Sequence, residues 1–148
     1  MKIGEIAPDF TLPDQNRQLF NLGQHLGKGP IVVFFYPKDG SPVCTAEACS
    51  FRDKFAVFQT MGALVVGIST DSEASHQKFV ADNQLPYTLL SDEKGEVRDA
   101  FKVPKAFGLG PGRVTYILDK QGIVRGIFSN LLNGKQHAEE ALAIIRKL

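Results

Sequence analysis

The run Ile31-Val32-Val33-Phe34-Phe35-Tyr36, followed by Pro37-Lys38-Asp39-Gly40-Ser41-Pro42-Val43-Cys44-Thr45-Ala46-Glu47-Ala48-Cys49-Ser50-Phe51-Arg52-Asp53, decides how this chain folds. Its first six residues are continuously apolar and rich in β-branched and aromatic side chains, the pattern of a strand covered on both faces. From about Pro42 the period changes. Ala48, Phe51, Phe55 and Phe58 recur at spacings of three and four, which predicts an amphipathic helix from about Pro42 to Phe58. Ser41 is a preferred N-cap, and Pro42 suits the first helical position, where its missing N–H costs nothing. The stretch therefore reads as strand, turn, capped helix, with Cys44 in the helix's first turn.

Working outward, Phe10-Thr11-Leu12 and Leu19-Phe20-Asn21-Leu22 flank a polar segment and suggest a hairpin. Downstream, Ala63–Ser69 is a second continuous apolar strand, and Ser72 is placed to cap a helix reaching about Asn83. Tyr87–Leu90 reads as a third strand and Gly95–Phe101 as a short helix. Val114–Leu118 and Ile123–Phe128 flank Asp119-Lys120-Gln121-Gly122, a strong hairpin signal. A last helix is expected from near His137 to Lys147. Strands alternating with helices and a closing antiparallel pair predict an α/β protein: one domain over residues 1–148, with a central mixed β-sheet flanked by helices on both faces. A thioredoxin-like fold fits this order.

Composition narrows the function. With 148 residues, 43% hydrophobic and 22% charged, the chain can bury a core without a metal or a disulfide. A net charge of +1 with no basic stripe argues against nucleic acid and anionic membranes as partners. No apolar run approaches the ~20 residues that span a bilayer. The start of the chain has neither the apolar core of a signal peptide nor the character of a transit peptide. The expectation is a cytoplasmic protein, or an organelle-stroma protein whose leader is absent from this chain.

The two cysteines, Cys44 and Cys49, point to chemistry rather than scaffolding. Unpaired N–H groups and the positive end of the helix dipole stabilise an anion where Cys44 lies, and a thiolate is the reactive form of cysteine. Cys49 is five residues on. In an intact helix that spacing separates the Cα atoms by about 8 to 9 Å, beyond the ~7 Å a disulfide tolerates. The pair is therefore either two unrelated thiols or a redox couple whose closure melts the first turns of the helix. It has neither the Cys-x-x-Cys spacing of dithiol exchangers nor a four-ligand zinc pattern. His25, His76 and His137 are scattered and read as surface residues, and Arg52 and Asp53 as a helix-surface pair.

The run Pro37-x-x-x-Ser41-x-x-Cys44 resembles the Pro-x-x-x-Thr/Ser-x-x-Cys signature of peroxiredoxins. The second cysteine five residues later is similar to the arrangement in their Q branch, the bacterioferritin comigratory proteins. Gly4-Glu5-x-Ala7-Pro8-Asp9-Phe10-Thr11-Leu12, Phe35-Tyr36-Pro37-Lys38-Asp39, Ser91-Asp92 and Pro111–Lys120 look like further landmarks of that branch, most like its plant and cyanobacterial members. The resemblance implies a thiol peroxidase for hydrogen peroxide and organic hydroperoxides. Cys44 would be the peroxidatic thiolate and Cys49 its intramolecular resolving partner, with thioredoxin or a similar dithiol as reductant. It implies that Ser41 hydrogen-bonds thiolate and peroxide, that Pro37 shields the pocket, and that Arg113 polarises the O–O bond. No cofactor or metal is implied, and a monomer is expected because the resolving thiol lies in the same chain. Ser41 stands where Thr is commoner, and Val43 where Gly is often found. Glu47 matches a position often acidic or amide in the family, but reads equally well as a solvated first-turn carboxylate. The glycine-rich segment Gly108–Gly112 reads as a turn delivering Arg113.

Overall fold

The computed structural model describes residues 1–105 and 112–148. A short hairpin, β1 (Thr11–Pro13) and β2 (Leu19–Asn21), precedes the main sheet, as its flanking apolar residues predict. The sheet contains β3 (Ile31–Phe35), β4 (Leu64–Ser69), β5 (Thr88–Ser91), β6 (Val114–Leu118) and β7 (Val124–Ser129), in the order β5-β4-β3-β6-β7. β3, β4 and β5 run parallel, whereas β6 and β7 are antiparallel to their neighbours. The helices are α1 (Pro42–Asp53), α2 (Phe55–Thr60), α3 (Glu73–Asn83), α4 (Glu96–Ala100) and α5 (Gly134–Ile145).

The unbroken apolar run of β3 is explained by its position at the centre of the sheet. Val32, Phe34 and Tyr36 enter one core with Ala48 and Phe51 of α1, Phe58 of α2, Phe79 of α3 and Ala138 of α5. Ile31, Val33 and Phe35 enter a second core, on the other face, with Val97 of α4, Phe101 and the hairpin residues Phe10 and Phe20. Alternate side chains of a strand point to opposite faces, so a strand buried on both must be apolar throughout. This is the mixed, doubly covered, thioredoxin-like sheet that the element order implies.

Most boundaries fall within about two residues of the sequence pattern, and two differ by more. The helix expected over Pro42–Phe58 breaks at Lys54, whose backbone (φ −102, ψ 6) ends α1 and starts α2. The bend keeps Phe51 and Phe58 in one core, with ring centroids 5.7 Å apart, while turning the chain back towards β4. The last helix begins a turn earlier than expected, because the Asn133 side chain accepts from the Gln136 N–H and caps it.

Candidate active site

The site forms where β3 hands the chain to α1. The Ser41 side chain accepts the Cys44 backbone N–H at 3.2 Å, the cap that its residue type predicts, and Pro42 occupies the first turn. Cys44 is thereby fixed at the start of α1, only 1% exposed. Arg113 arrives just ahead of β6. Gly112 before it has no room for a side chain, since a Cβ there would lie 2.0 Å from the Pro104 carbonyl oxygen.

Arg113 is 3% exposed and uses three nitrogens. Nη2 donates to Cys44 Sγ at 3.1 Å, Nη1 to Glu47 Oε1 at 2.5 Å, and Nε to the Leu131 carbonyl at 3.0 Å. The structure thus brings together Ser41, Cys44 and Arg113. Pro37 lies half-buried just past β3. Cys49 is half-buried on another side of α1, its thiol donating to Asn83 Oδ1 of α3 at 3.6 Å. Both cysteines are free thiols.

Beneath Arg113 the structure corrects two readings. Glu47 is fully buried rather than solvated, and its carboxyl is pushed up to about 8 by that burial against the opposing pull of Arg113. His137 is likewise fully buried, not a surface residue, and burial pushes it down to about 4, with Arg113 adding to the effect. Its ring sits between the Thr115 hydroxyl, 2.8 Å from Nδ1, and the Asn130 carbonyl, 2.8 Å from Nε2. The close approach of α5 to α1 that encloses both groups depends on Gly134, where a Cβ would lie 2.4 Å from the Val43 carbonyl oxygen and 2.8 Å from Glu47 Cβ. Glu47 stands three residues after Cys44, on the same side of the helix, which is the one local sign that it belongs to the site.

His76, also read as a surface residue, is buried too. It braces the loop before Ser41. Its Nδ1 lies 2.7 Å from Asp39 Oδ2 and its Nε2 3.0 Å from the Leu90 carbonyl, while the Tyr36 hydroxyl donates to Asp39 Oδ1 at 2.6 Å. Asp39, Asp71 and His76 bring three ligand-type atoms within 4.8 Å of one another. However, Ser75 and Tyr36 already donate to Asp39, and Ser69 and the Asp39 N–H to Asp71, donors that a cation would have to displace. Arg52 pairs with Asp53 as expected, and also donates to the Asn83 carbonyl at 2.8 Å, tying α1 to α3 beside Cys49. Asp92 of the Ser91-Asp92 landmark caps α4 through the Val97 and Arg98 N–H groups. The Gly108–Gly112 turn lies outside the described residues as far as residue 111. Among the described residues, no helix is long and apolar enough to cross a membrane.

The sequence profile of the AhpC/TSA family matches residues 3–127. The chain belongs to that family, the thiol peroxidases whose thioredoxin-like sheet presents a cysteine at a helix start. The peroxiredoxin Q branch expected from the cysteine spacing is where its relatives lie. Chloroplastic peroxiredoxin Q of Triticum aestivum is 46% identical over 146 residues, 98% of this chain and 67% of that protein. The Sedum lineare counterpart is 46% identical over 146 residues, 98% of this chain and 78% of its own length. Among solved structures, peroxidoxin BcpB from Mycobacterium tuberculosis superposes with a TM-score of 0.93 at 38% identity, covering 100% of this chain and 98% of that one. The bacterioferritin comigratory protein of Xanthomonas campestris, described for its alkyl peroxide reduction activity, gives 0.85 at 30% identity, over 93% and 90% of the two chains.

Proposed function

We propose that Cys44 is the peroxidatic thiol of this peroxidase and Cys49 its resolving thiol. The observation that carries the assignment is the Arg113 guanidinium, 3.1 Å from a cysteine sulfur enclosed at a helix start. A fixed planar cation stabilises the thiolate before reaction and the departing oxygen during it. The thiolate attacks one peroxide oxygen, so that an S–O bond forms as the O–O bond breaks. The other oxygen leaves with the bonding pair, takes a proton and departs as water or alcohol, and Cys44 remains as the sulfenic acid. The Ser41 hydroxyl, whose oxygen already faces the Cys44 amide, is the group we assign to hold the peroxide. Pro37 we assign to exclude water.

Cys49 then attacks the sulfenic sulfur, a disulfide forms and hydroxide leaves as water. Because that bond cannot close across an intact α1, the helix start must unwind first. An external dithiol, thioredoxin or a similar protein, reduces the bridge. With both thiols in one chain the cycle needs no second subunit, and we place a monomeric enzyme in the cytoplasm or, as for the chloroplastic relatives, in an organelle stroma. Hydrogen peroxide and organic hydroperoxides are the substrates, and nucleic acid and membranes are not partners.

The test follows peroxide consumption with a dithiol present, and the mass of the peroxide-treated protein. Cys44→Ser is expected to be inactive. Cys49→Ser is expected to form one sulfenate and fail to recycle through an internal bridge, whereas the wild type yields a Cys44–Cys49 disulfide within one chain. Turnover by Cys44→Ser would end the assignment.

A further inference from the structure

Two buried titratable groups stand behind Arg113 without a part in the scheme above. Glu47 comes from α1 and His137 from α5, and both are fully enclosed. His137 Nε2 lies 2.8 Å from the Asn130 carbonyl. A carbonyl only accepts, so this nitrogen carries a hydrogen, and in the neutral ring Nδ1 is then a bare acceptor. It faces the Thr115 hydroxyl at 2.8 Å and Glu47 Oε2 at 3.3 Å. Glu47 Oε1 receives the Arg113 Nη1–H, whereas Oε2 has no hydrogen-bond donor among the described residues.

The Thr115 hydroxyl can donate to that Nδ1 lone pair, but a carboxylate Oε2 facing it out of water would still have no donor and would repel it. One proton between Oε2 and Nδ1 removes the conflict. On Oε2 it makes a carboxylic acid hydrogen-bonded to a neutral ring; on Nδ1 it makes a carboxylate beside an imidazolium. Either way the two residues are neutral as a unit.

We propose that Glu47 and His137 share one buried proton, and that their joint neutrality reserves the charge of Arg113 for Cys44 and for the oxygen leaving the peroxide. They are positioning residues, and this role rests on the assignment of Cys44 as the peroxidatic thiol. Arg113 is a single cation held between two groups able to carry a negative charge, Sγ of Cys44 at 3.1 Å and Oε1 of Glu47 at 2.5 Å. With the proton in place it serves one anion. Without it, Arg113 is divided between two, and its pull on the leaving oxygen weakens.

Among the described residues, the charged and titratable groups facing the pair are Cys44 on its own helix, Arg113 ahead of β6, and Tyr87 ahead of β5, which burial above all, and Glu47 after it, hold from ionisation. Burial, opposed only in part by Arg113, pushes Glu47 up to about 8, and burial pushes His137 down to about 4. At neutral pH the proton therefore sits on Glu47, and it leaves as the pH rises past about 8.

The experiment is a stopped-flow pH profile of peroxide reaction with reduced protein, each variant normalised to its own maximum. In the wild type the rate constant is expected to fall by about tenfold between about pH 7 and about pH 9.5, a fraction of the ~100-fold that losing an oxyanion donor outright costs. Glu47→Gln, whose side-chain amide cannot ionise, is expected to lose this alkaline fall. Infrared difference spectra at about pH 6.5 should show a carboxylic-acid carbonyl band in the wild type that the substitution removes. A wild-type rate flat over the range, a fall retained in Glu47→Gln, or no band removed by the substitution would each overturn the proposal. A Cys44 inert to peroxide would instead sink the assignment of the thiol, while the infrared band still reported on the shared proton.

Discussion

Arg113 shows how much of this site depends on the shape of one side chain and not on its charge alone. Its three bonds, to Cys44, Glu47 and the Leu131 carbonyl, leave along three directions of one rigid plane, and at 3% exposure water cannot replace any of them. A lysine at this position keeps the charge but offers a compact ammonium on a flexible stem, unable to span the same three acceptors. Arg113→Lys is therefore expected to lower the rate constant for peroxide reaction by about 100-fold or more, the scale of losing a preorganised donor from an oxyanion site. Stopped-flow measurement on reduced protein checks this. A rate within a few-fold of wild type would mean that charge, not geometry, activates Cys44. Ser41 acts on the same residue through its backbone, since the cap that starts α1 accepts the Cys44 N–H and fixes where that residue sits.

At the scale of the element, α1 does two incompatible things. Intact, it aims Cys44 at Arg113 and turns Cys49 towards Asn83; bridged, it cannot remain a helix between the two cysteines. Oxidation is therefore expected to lower the far-UV helical signal by about two turns' worth, and to expose amides 44–49 to hydrogen exchange, both reversed by a dithiol. Cys49→Ser should show neither change, and a bridged form with α1 still protected would refute the coupling. This much of α1 is legible in the sequence, because capping and apolar period are local signals. The break at Lys54 is not, since it answers to the return path towards β4 and not to any helix-breaking residue. Likewise Glu47 and His137 look like surface groups when read locally. Their burial comes from α5 lying against α1 through Gly134, a contact between segments that no periodicity announces. Arg113 is 69 residues from Cys44, and only the family resemblance, not spacing, ties the two together in advance.

Across the whole molecule, the sheet divides two cores, and the site is set into the face covered by α1 and α5. Placing titratable groups inside that face ties its stability to pH. Glu47 is raised from an ordinary 4.5 to about 8, so the folded protein holds a proton there that the unfolded chain releases, and stability is lost as pH rises from about 4.5 to about 8. His137 is lowered from 6.5 to about 4, so the unfolded chain takes up a proton that the folded protein refuses, and stability is lost as pH falls from about 6.5 to about 4. Between about 4.5 and 6.5 the two slopes oppose one another. The expected contribution is a plateau over that interval, declining towards pH 8 on one side and pH 4 on the other. Denaturant titrations of the reduced protein at stepped pH measure it directly. Glu47→Gln should remove the alkaline decline and leave the acidic one, because only the carboxyl has been taken out of the balance. His137→Asn should do the reverse. A wild-type stability that climbs steadily from pH 5 to pH 8 would show that Glu47 does not govern the fold's response to protons over that range.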